Sequence, residues 1–149
     1  MLLRQYEKRM RIVLDTVVFV RSLIKPNNAC GRTIFLHGKK YRLVVSKPLL
    51  VELFEVLRRP EIRSKFSPSV SIDYKQILDF LSQAEVVEVG DIPDISRDIK
   101  DNKFLETAMV ARADYLVSED KDLLILGKYR ETQILTCRAF ADILESQDR

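Results

Sequence analysis

Histidine, cysteine and glycine are scarce in this sequence, and each shortage argues against a class of functional site. The single histidine argues against a zinc centre of the usual His/Cys kind and against Ser-His-Asp catalysis. The two cysteines, Cys30 and Cys137, have neither CxxC spacing nor a disulfide framework around them, so we expect them to stand alone. The four glycines form no G-x-G-x-x-G and no G-x-x-x-x-G-K pattern, which leaves a dinucleotide site or a P-loop without support.

The sequence also lacks a long apolar run. No stretch approaches the roughly 20 residues that cross a bilayer, and the first residues, MLLRQYEKRMR, lack the continuous apolar core of a signal peptide. With 46% hydrophobic and 32% charged residues, the chain is too apolar for a disordered tail and too charged for a membrane protein. We therefore expect one soluble cytoplasmic domain over residues 10–149, preceded by an N-terminal extension over residues 1–9.

Charge is distributed unevenly along the chain. Residues 91–122 contain nine carboxylates against five basic residues, although the net charge of the whole chain is +3. Much of the positive charge lies between Lys39 and Lys65. An acidic spot on a basic background suits a metal-using enzyme that acts on a polyanion, because basic residues attract phosphates and carboxylates hold cations. An unevenly charged solvated surface is the alternative interpretation.

Short apolar segments alternate with amphipathic ones, which predicts an α/β fold with a parallel sheet between helical layers. The predicted strands are residues 11–15, 41–46, 85–89, 115–118 and 133–135. The predicted helices are residues 16–24, 47–58, 72–83, 102–112, 123–126 and 139–145, with a polar loop over residues 90–101.

Acidic residues stand where several of these strands end. Asp15 ends the first strand, Asp120 follows the fourth, Asp101 precedes the helix that leads into it, and Glu52 lies in the helix after the second. Each alone could cap a helix or face solvent. Because sites in parallel sheets form beyond the carboxyl ends of strands, we expect all four at one rim. Crowded carboxylates require a cation, and oxygen ligands without histidine or cysteine select Mg²⁺ or Mn²⁺.

Helical geometry separates Glu52 from its neighbour Glu55. At 100° per residue, Glu55 lies nearly opposite the apolar stripe of helix 47–58, whereas Glu52 lies at the border of that stripe. A border carboxylate can point into a cleft. We therefore predict that Glu52 faces the site and that Glu55 faces solvent.

Three segments resemble the PIN-domain family, in particular the toxin components of bacterial toxin–antitoxin systems. They are RIVLDTVVF, SKPLLVELFEVLRR and RDIKDNKFLETAMVARADYLVSEDKDLL. The resemblance implies a three-layer α/β/α sandwich with a central parallel sheet, often of strand order 3-2-1-4-5, and a Mg²⁺- or Mn²⁺-dependent ribonuclease acting on single-stranded RNA. The family's acidic cluster falls on Asp15, Glu52, Asp101 and Asp120, with Asp122 as an accessory ligand.

The chain departs from the family pattern at a few positions near these acids. Val17 stands two residues after Asp15, following Thr16, where the family usually has an asparagine that shapes the site by hydrogen bonding. Ser118 replaces a commoner threonine and keeps the hydroxyl. Glu119 stands where a small residue is frequent, which we expect to add one more acid at the rim.

The resemblance assigns a role to each acid. Asp15, Asp101 and Asp120 would ligate one or two ions, and Glu52 would bind a second ion or orient the water that attacks the phosphodiester. Tyr41 or Phe66 could stack on bases. The candidates for an RNA-guiding surface are Lys39, Lys40, Arg42, Arg58, Arg59 and Arg63.

Two rival functions stay open at this stage. Another α/β phosphate-transfer class is one, although the D-x-D of haloacid-dehalogenase-type phosphatases would need an acid where Val17 stands. A catalytically weak or silent PIN-like module that binds RNA or protein is the other. For a toxin, the resemblance implies an antitoxin protein partner, and homodimers are common in the family; no membrane partner is expected.

Overall fold

A single sheet forms the centre of the computed structural model, which describes residues 9–90 and 99–147, with the backbone alone for residues 99–101. Its strands are β1 (Arg11–Leu14), β2 (Arg42–Val45), β3 (Glu85–Val86), β4 (Tyr115–Val117), β5 (Lys128–Tyr129) and β6 (Thr132–Leu135). The spatial order is β3-β2-β1-β4-β6-β5. All neighbours pair in parallel except β5, which is antiparallel to β6. The carboxyl ends of β1, β2 and β4 therefore share one edge.

Helices cover both faces of this sheet. They are α1 (Thr16–Ile24), α2 (Ala29–Gly31), α3 (Lys47–Leu57), α4 (Pro60–Arg63), α5 (Val70–Ser82), α6 (Ile99–Ala111), α7 (Lys121–Leu126) and α8 (Cys137–Ser146). A π-helical turn, Arg32–Leu36, continues α2. Among the described residues, none of these helices is long and apolar enough to cross a membrane.

The central strands β1, β2 and β4 are mainly apolar because each of their faces meets a helical layer. Ile12 and Leu14 of β1 pack into a core with α1, α3, α5 and α8, whereas Val13 between them joins a second core with α6 and α7. In β2, Leu43 and Val44 divide between the two cores in the same way. This confirms the predicted three-layer α/β/α sandwich.

The predicted strand order is confirmed, and the structure adds elements that the sequence pattern did not indicate. The edge strand β5 and the short helix α4 were not predicted. The third strand is shorter than expected, and α6 begins at Ile99, inside the predicted loop. Residues 91–98 of that loop and residues 1–8 of the predicted extension lie outside the described part of the chain.

Candidate active site

The carboxyl ends of the central strands open into a groove of about 1150 Å³. Asp15 follows β1 directly, Glu52 comes from the second turn of α3, and Asp120 lies between β4 and α7; all three line the groove. We call Asp15, Glu52 and Asp120 the acidic site. The fourth predicted acid, Asp101, belongs to α6 by its backbone, and its side chain lies outside the described residues.

Asp15 is the most enclosed member of the acidic site, with 5% of its surface exposed. Its Oδ1 accepts the backbone N–H of Val17 at 3.3 Å, which caps α1, and its Oδ2 accepts the Ser118 hydroxyl at 2.7 Å. Burial raises the pKa of Asp15 to about 6, and the charges of Glu52 and Asp120 add to that rise, whereas the two hydrogen bonds oppose it. Asp15 therefore caps α1, and its ionisation in the folded protein is unfavourable because the carboxylate is buried.

Ser118 connects two members of the acidic site from a fully buried position. While its hydroxyl donates to Asp15, the same oxygen accepts the backbone N–H of Asp120 at 2.9 Å. Asp120 in turn caps α7, because its Oδ1 accepts the N–H of Asp122 at 2.8 Å. The Ser118 hydroxyl thus connects Asp15, at the end of β1, with Asp120, which follows β4.

Glu52 is held by two donors from other helices. Its Oε2 accepts the Thr16 hydroxyl at 2.6 Å, and its Oε1 accepts Nζ of Lys103 at 2.8 Å. The Glu52 side chain is 22% exposed and that of Glu55 is 63% exposed, as predicted from the helical stripe, and Glu55 lies at the wall of the same groove. Sequence reasoning missed Lys103. No local pattern indicates this contact, because Lys103 and Glu52 are 51 residues apart in the chain.

The donor chemistry of the acidic site fits a hard divalent cation. Its side chains offer carboxylate oxygens, which Mg²⁺ and Mn²⁺ prefer, and a cation would relieve the cost that burial imposes on ionised Asp15. The oxygens of Asp15, Glu52 and Asp120 nevertheless do not all lie within 4.8 Å of one another. Among the described side chains, the three potential ligands whose atoms lie within 4.8 Å of one another are Cys30, Glu119 and Cys137, outside this site.

Those two cysteines correct a sequence expectation. Cys30 and Cys137, expected to stand alone, form a disulfide with their Cα atoms 5.2 Å apart. They are 107 residues apart in the chain and meet because α2 and α8 pack together, which no local spacing reveals. Glu119 was expected at the acidic rim and lies beside this pair instead. Its Oε1 accepts the backbone N–H of Cys137, the first residue of α8, at 3.2 Å, so Glu119 bonds to the start of that helix.

The structure separates the candidate RNA-guiding residues into two groups. Arg59 lines the groove and lies near Arg58 and Arg63 at the end of α3 and in α4. Lys39, Lys40 and Arg42 lie at the start of β2, the opposite edge of the sheet from the acidic site.

Of the two aromatic candidates for stacking on bases, the structure excludes Tyr41. Tyr41 is buried, donates its hydroxyl to the Thr33 carbonyl at 2.9 Å and packs edge-on against Phe140, so the expectation that it stacks on bases is wrong. Phe66 is partly buried against the first core. Asp122 is exposed in the first turn of α7, and its side chain is not among the described groove residues.

Apolar side chains form much of the remaining groove wall. Val17, whose backbone N–H donates to Asp15, is 37% exposed. Val51 and Val86 also line the groove and are more exposed than Val17. A groove with charged residues at its floor and exposed valines on its walls can contact a ligand that is both polar and apolar.

Comparison with known proteins gives consistent matches over most of the chain. A family model described as PIN domain matches residues 11–122. The uncharacterized protein MJ1680 of Methanocaldococcus jannaschii is 28% identical over 119 residues, 79% of this chain and 76% of that protein. The crystal structure of PAE2754 from Pyrobaculum aerophilum matches with a TM-score of 0.60 at 15% identity, covering 93% of this chain and 91% of that one. VapBC2 from Rickettsia felis, bound to a DNA fragment from its promoter, matches with a TM-score of 0.54 at 17% identity, covering 85% and 98%.

Proposed function

This chain belongs to the PIN domain family, and from that membership and its acidic site we propose that it is a divalent-metal-dependent endoribonuclease acting on single-stranded RNA. PIN domains are in general metal-dependent nucleases. The observation that carries the proposal is the buried Asp15, whose pKa is raised to about 6 while it lies in one groove with Glu52 and Asp120. Such a group gains most from a bound cation.

The side chains divide the work of hydrolysis between them. Asp15, Asp101 and Asp120 would hold Mg²⁺ or Mn²⁺, with Asp122 as an accessory ligand, and Thr16 and Ser118 would orient the carboxylates by their hydroxyls. When bound, the ion supplies neutralisation of the phosphate charge and a lower pKa for the attacking water. Glu52 orients that water. The water oxygen joins phosphorus as the P–O3′ bond breaks, which leaves a 5′-phosphate and a 3′-hydroxyl.

The substrate would lie along the groove and continue over α4. Arg59 in the groove, with Arg58 and Arg63 beside it, offers guanidinium groups to the RNA backbone near the acidic site. Lys39, Lys40 and Arg42 would contact only an RNA that extends around the sheet to its other edge. The proposed setting for such an enzyme is the cytoplasm.

A toxin role would add a protein partner to this function. The structural likeness to VapBC2, a complex bound to a DNA fragment from its promoter, supports the idea that a small antitoxin restrains this chain. The exposed valines of the groove wall, Val17, Val51 and Val86, suit an apolar segment of such a partner. A homodimer is a further expectation that follows from the family.

A catalytically silent PIN-like module is the second candidate, and one observation favours it. Each oxygen of Glu52 already accepts one hydrogen bond from a protein donor, and the oxygens of the three acids do not all lie within 4.8 Å of one another. Such a module would bind RNA or a protein without cleaving it. A phosphatase has less support, because the aliphatic Val17 stands where its second acid would be.

The decisive experiment removes the charge of two acids and assays cleavage of single-stranded RNA with Mn²⁺. The Asp15→Asn/Asp120→Asn variant should lose more than about 100-fold in rate, since even the outer partners of metal ligands are worth about 10–100-fold. Glu55→Gln, the exposed acid on the same helix as Glu52, is the matched control and should cleave like the parent. Equal rates in the double variant and the parent would refute the assignment, and RNA binding without cleavage by the parent would favour the silent module. Hydrolysis of an aryl phosphate would indicate a phosphatase.

A further inference from the structure

Lys103 forms an ion pair inside the groove that the proposed mechanism does not use. Its Nζ lies 2.8 Å from Glu52 Oε1, and both side chains are about four-fifths buried, at 21% and 22% exposure. An ion pair removed from solvent in this way is screened much less than a surface pair, so it holds its geometry more firmly. Lys103 therefore cannot be treated as part of a solvated face.

The position of Lys103 couples it to the metal-binding side of the groove. It follows Asp101 by two residues in α6, and it lines the same groove as Asp15 and Asp120. The four proposed acids carry four negative charges when ionised. One divalent cation and the Lys103 ammonium together neutralise three of them, whereas a second divalent cation would leave the group with a net positive charge.

We propose that Lys103 is a positioning residue that takes the place of a second cation, so that the acidic site binds one divalent ion. In two-ion sites the metals lie about 3.5–4 Å apart and share carboxylates. Here Glu52 is the acid with which a second ion would have to bond, and its oxygens are bonded to Lys103 and Thr16. This inference rests on the proposed nuclease function and deepens it.

The ion pair leaves Glu52 able to orient water. A carboxylate has about four lone-pair sites on its two oxygens, and the donors Lys103 and Thr16 occupy one on each oxygen. The lone pairs that remain can accept a hydrogen bond from the attacking water. Lys103 thus keeps Glu52 fixed from one helix while Thr16 fixes it from another, and of the two roles expected for Glu52 this arrangement favours the orientation of water.

The test counts bound Mn²⁺ per chain by titration calorimetry and by electron paramagnetic resonance of the free ion. We expect one ion for the parent and one for Lys103→Arg, which keeps the charge. Lys103→Met should bind two, because Glu52 becomes available, and the Lys103→Met/Glu52→Gln double variant should return to one. Lys47→Met is the matched control, since Lys47 is an exposed lysine lining the same groove, and it should bind one ion.

The outcomes separate this inference from the function on which it rests. Two ions in the parent would overturn the role of Lys103, and so would one ion in a folded Lys103→Met variant. No ion in the parent would overturn the proposed metal-dependent function together with it. A purely structural ion pair would lower the melting temperature of Lys103→Met without changing its ion count. If Lys103→Met does not fold, Lys103→Ala, which also removes the ammonium group, takes its place and should bind two ions, and one ion in folded Lys103→Ala would overturn the role of Lys103.

Discussion

Replacing Asp15 by Asn should stabilise the metal-free protein at neutral pH, although the change removes a carboxylate from the acidic site. Burial raises the pKa of Asp15 from 3.8 to about 6, so the folded protein holds the ionised group at a cost at neutral pH. At 1.36 kcal/mol per pH unit, this difference corresponds to about 3 kcal/mol. Asparagine can still accept the Val17 N–H, and Ser118 can turn its hydroxyl to accept the amide.

The gain has a definite pH dependence. Below pH 3.8 the parent carries a protonated Asp15 in both the folded and the unfolded state, so removing the charge brings no electrostatic gain. Between that pH and about 6 the unfolded chain releases its proton before the folded protein does, and the free energy of unfolding of the parent falls. The difference between Asp15→Asn and the parent therefore opens over this window and is nearly complete at neutral pH.

Urea denaturation in the presence of a chelator measures this directly. Between about pH 4 and about pH 7.5, the advantage of Asp15→Asn over the parent should grow by about 2.4 kcal/mol. Asp142→Asn, the same chemical change at an exposed position in α8, is the control and should show no such growth. An advantage that is equal at both pH values, or that shrinks as pH rises, would refute the reasoning.

Adding Mn²⁺ should reverse the ranking of the two proteins. A cation present at about 1,000 times its dissociation constant for the folded parent stabilises it by about 4.1 kcal/mol, which exceeds the cost of about 3 kcal/mol that ionised Asp15 imposes. Asp15→Asn has lost an ionised ligand at the most enclosed point of the site and should gain much less. Equal gains in both proteins would show that the cation binds elsewhere.

Three further predictions follow from single contacts. Ser118→Ala should lower the free energy of unfolding by about 1–3 kcal/mol in urea denaturation, because it leaves Asp15 Oδ2 and the Asp120 N–H without their buried partner; Ser118→Thr should restore most of the loss. Reducing the Cys30–Cys137 disulfide should lower the melting temperature, since a crosslink across about 100 residues is worth about 4.7 kcal/mol in the chain-entropy account, and Cys30→Ser should melt alike with and without reductant. Val17→Asn should raise the cleavage rate with less than about 0.5 kcal/mol change in stability, because Val17 is largely a groove-wall residue, and an unchanged rate would contradict a role for this position in tuning the site.

The sequence predicts the alternating strands and helices from local patterns, whereas the order of the strands was expected only from the resemblance to the PIN-domain family. β1 is apolar at every position that the two cores cover, and Ile12 and Val13 face opposite layers. Helices follow β1 and β4 directly, capped by Asp15 and Asp120. Once strands and helices alternate, the parallel arrangement brings the strand-end acids to one edge. Short or edge elements such as β5 carry too few residues to produce such a pattern.

The partners of the site residues could not be predicted in this way. Lys103 reaches Glu52 from a helix 51 residues away in the chain, and the direction of its side chain depends on how α3 and α6 pack. Glu119 is one residue from Asp120 yet turns toward α8, because the backbone N–H of Cys137 lies within its reach. Tyr41 looks like a surface aromatic in a basic segment, and it is buried because Phe80 and Phe140 surround it.

Capping a helix and holding a cation are compatible roles for the same carboxylate. Asp15 gives one oxygen to the N–H of Val17 and the other to Ser118, and these bonds fix the side chain without offsetting the full cost of its burial. A bound cation would offset the remaining free-energy cost of burying the charged carboxylate. The burial that fixes the Asp15 side chain therefore also favours cation binding. Asp120 caps α7 but is less buried than Asp15, so the same gain is smaller there. In the proposed metal site, the position of Asp15, more than the number of acids around it, would therefore set the affinity for a divalent ion.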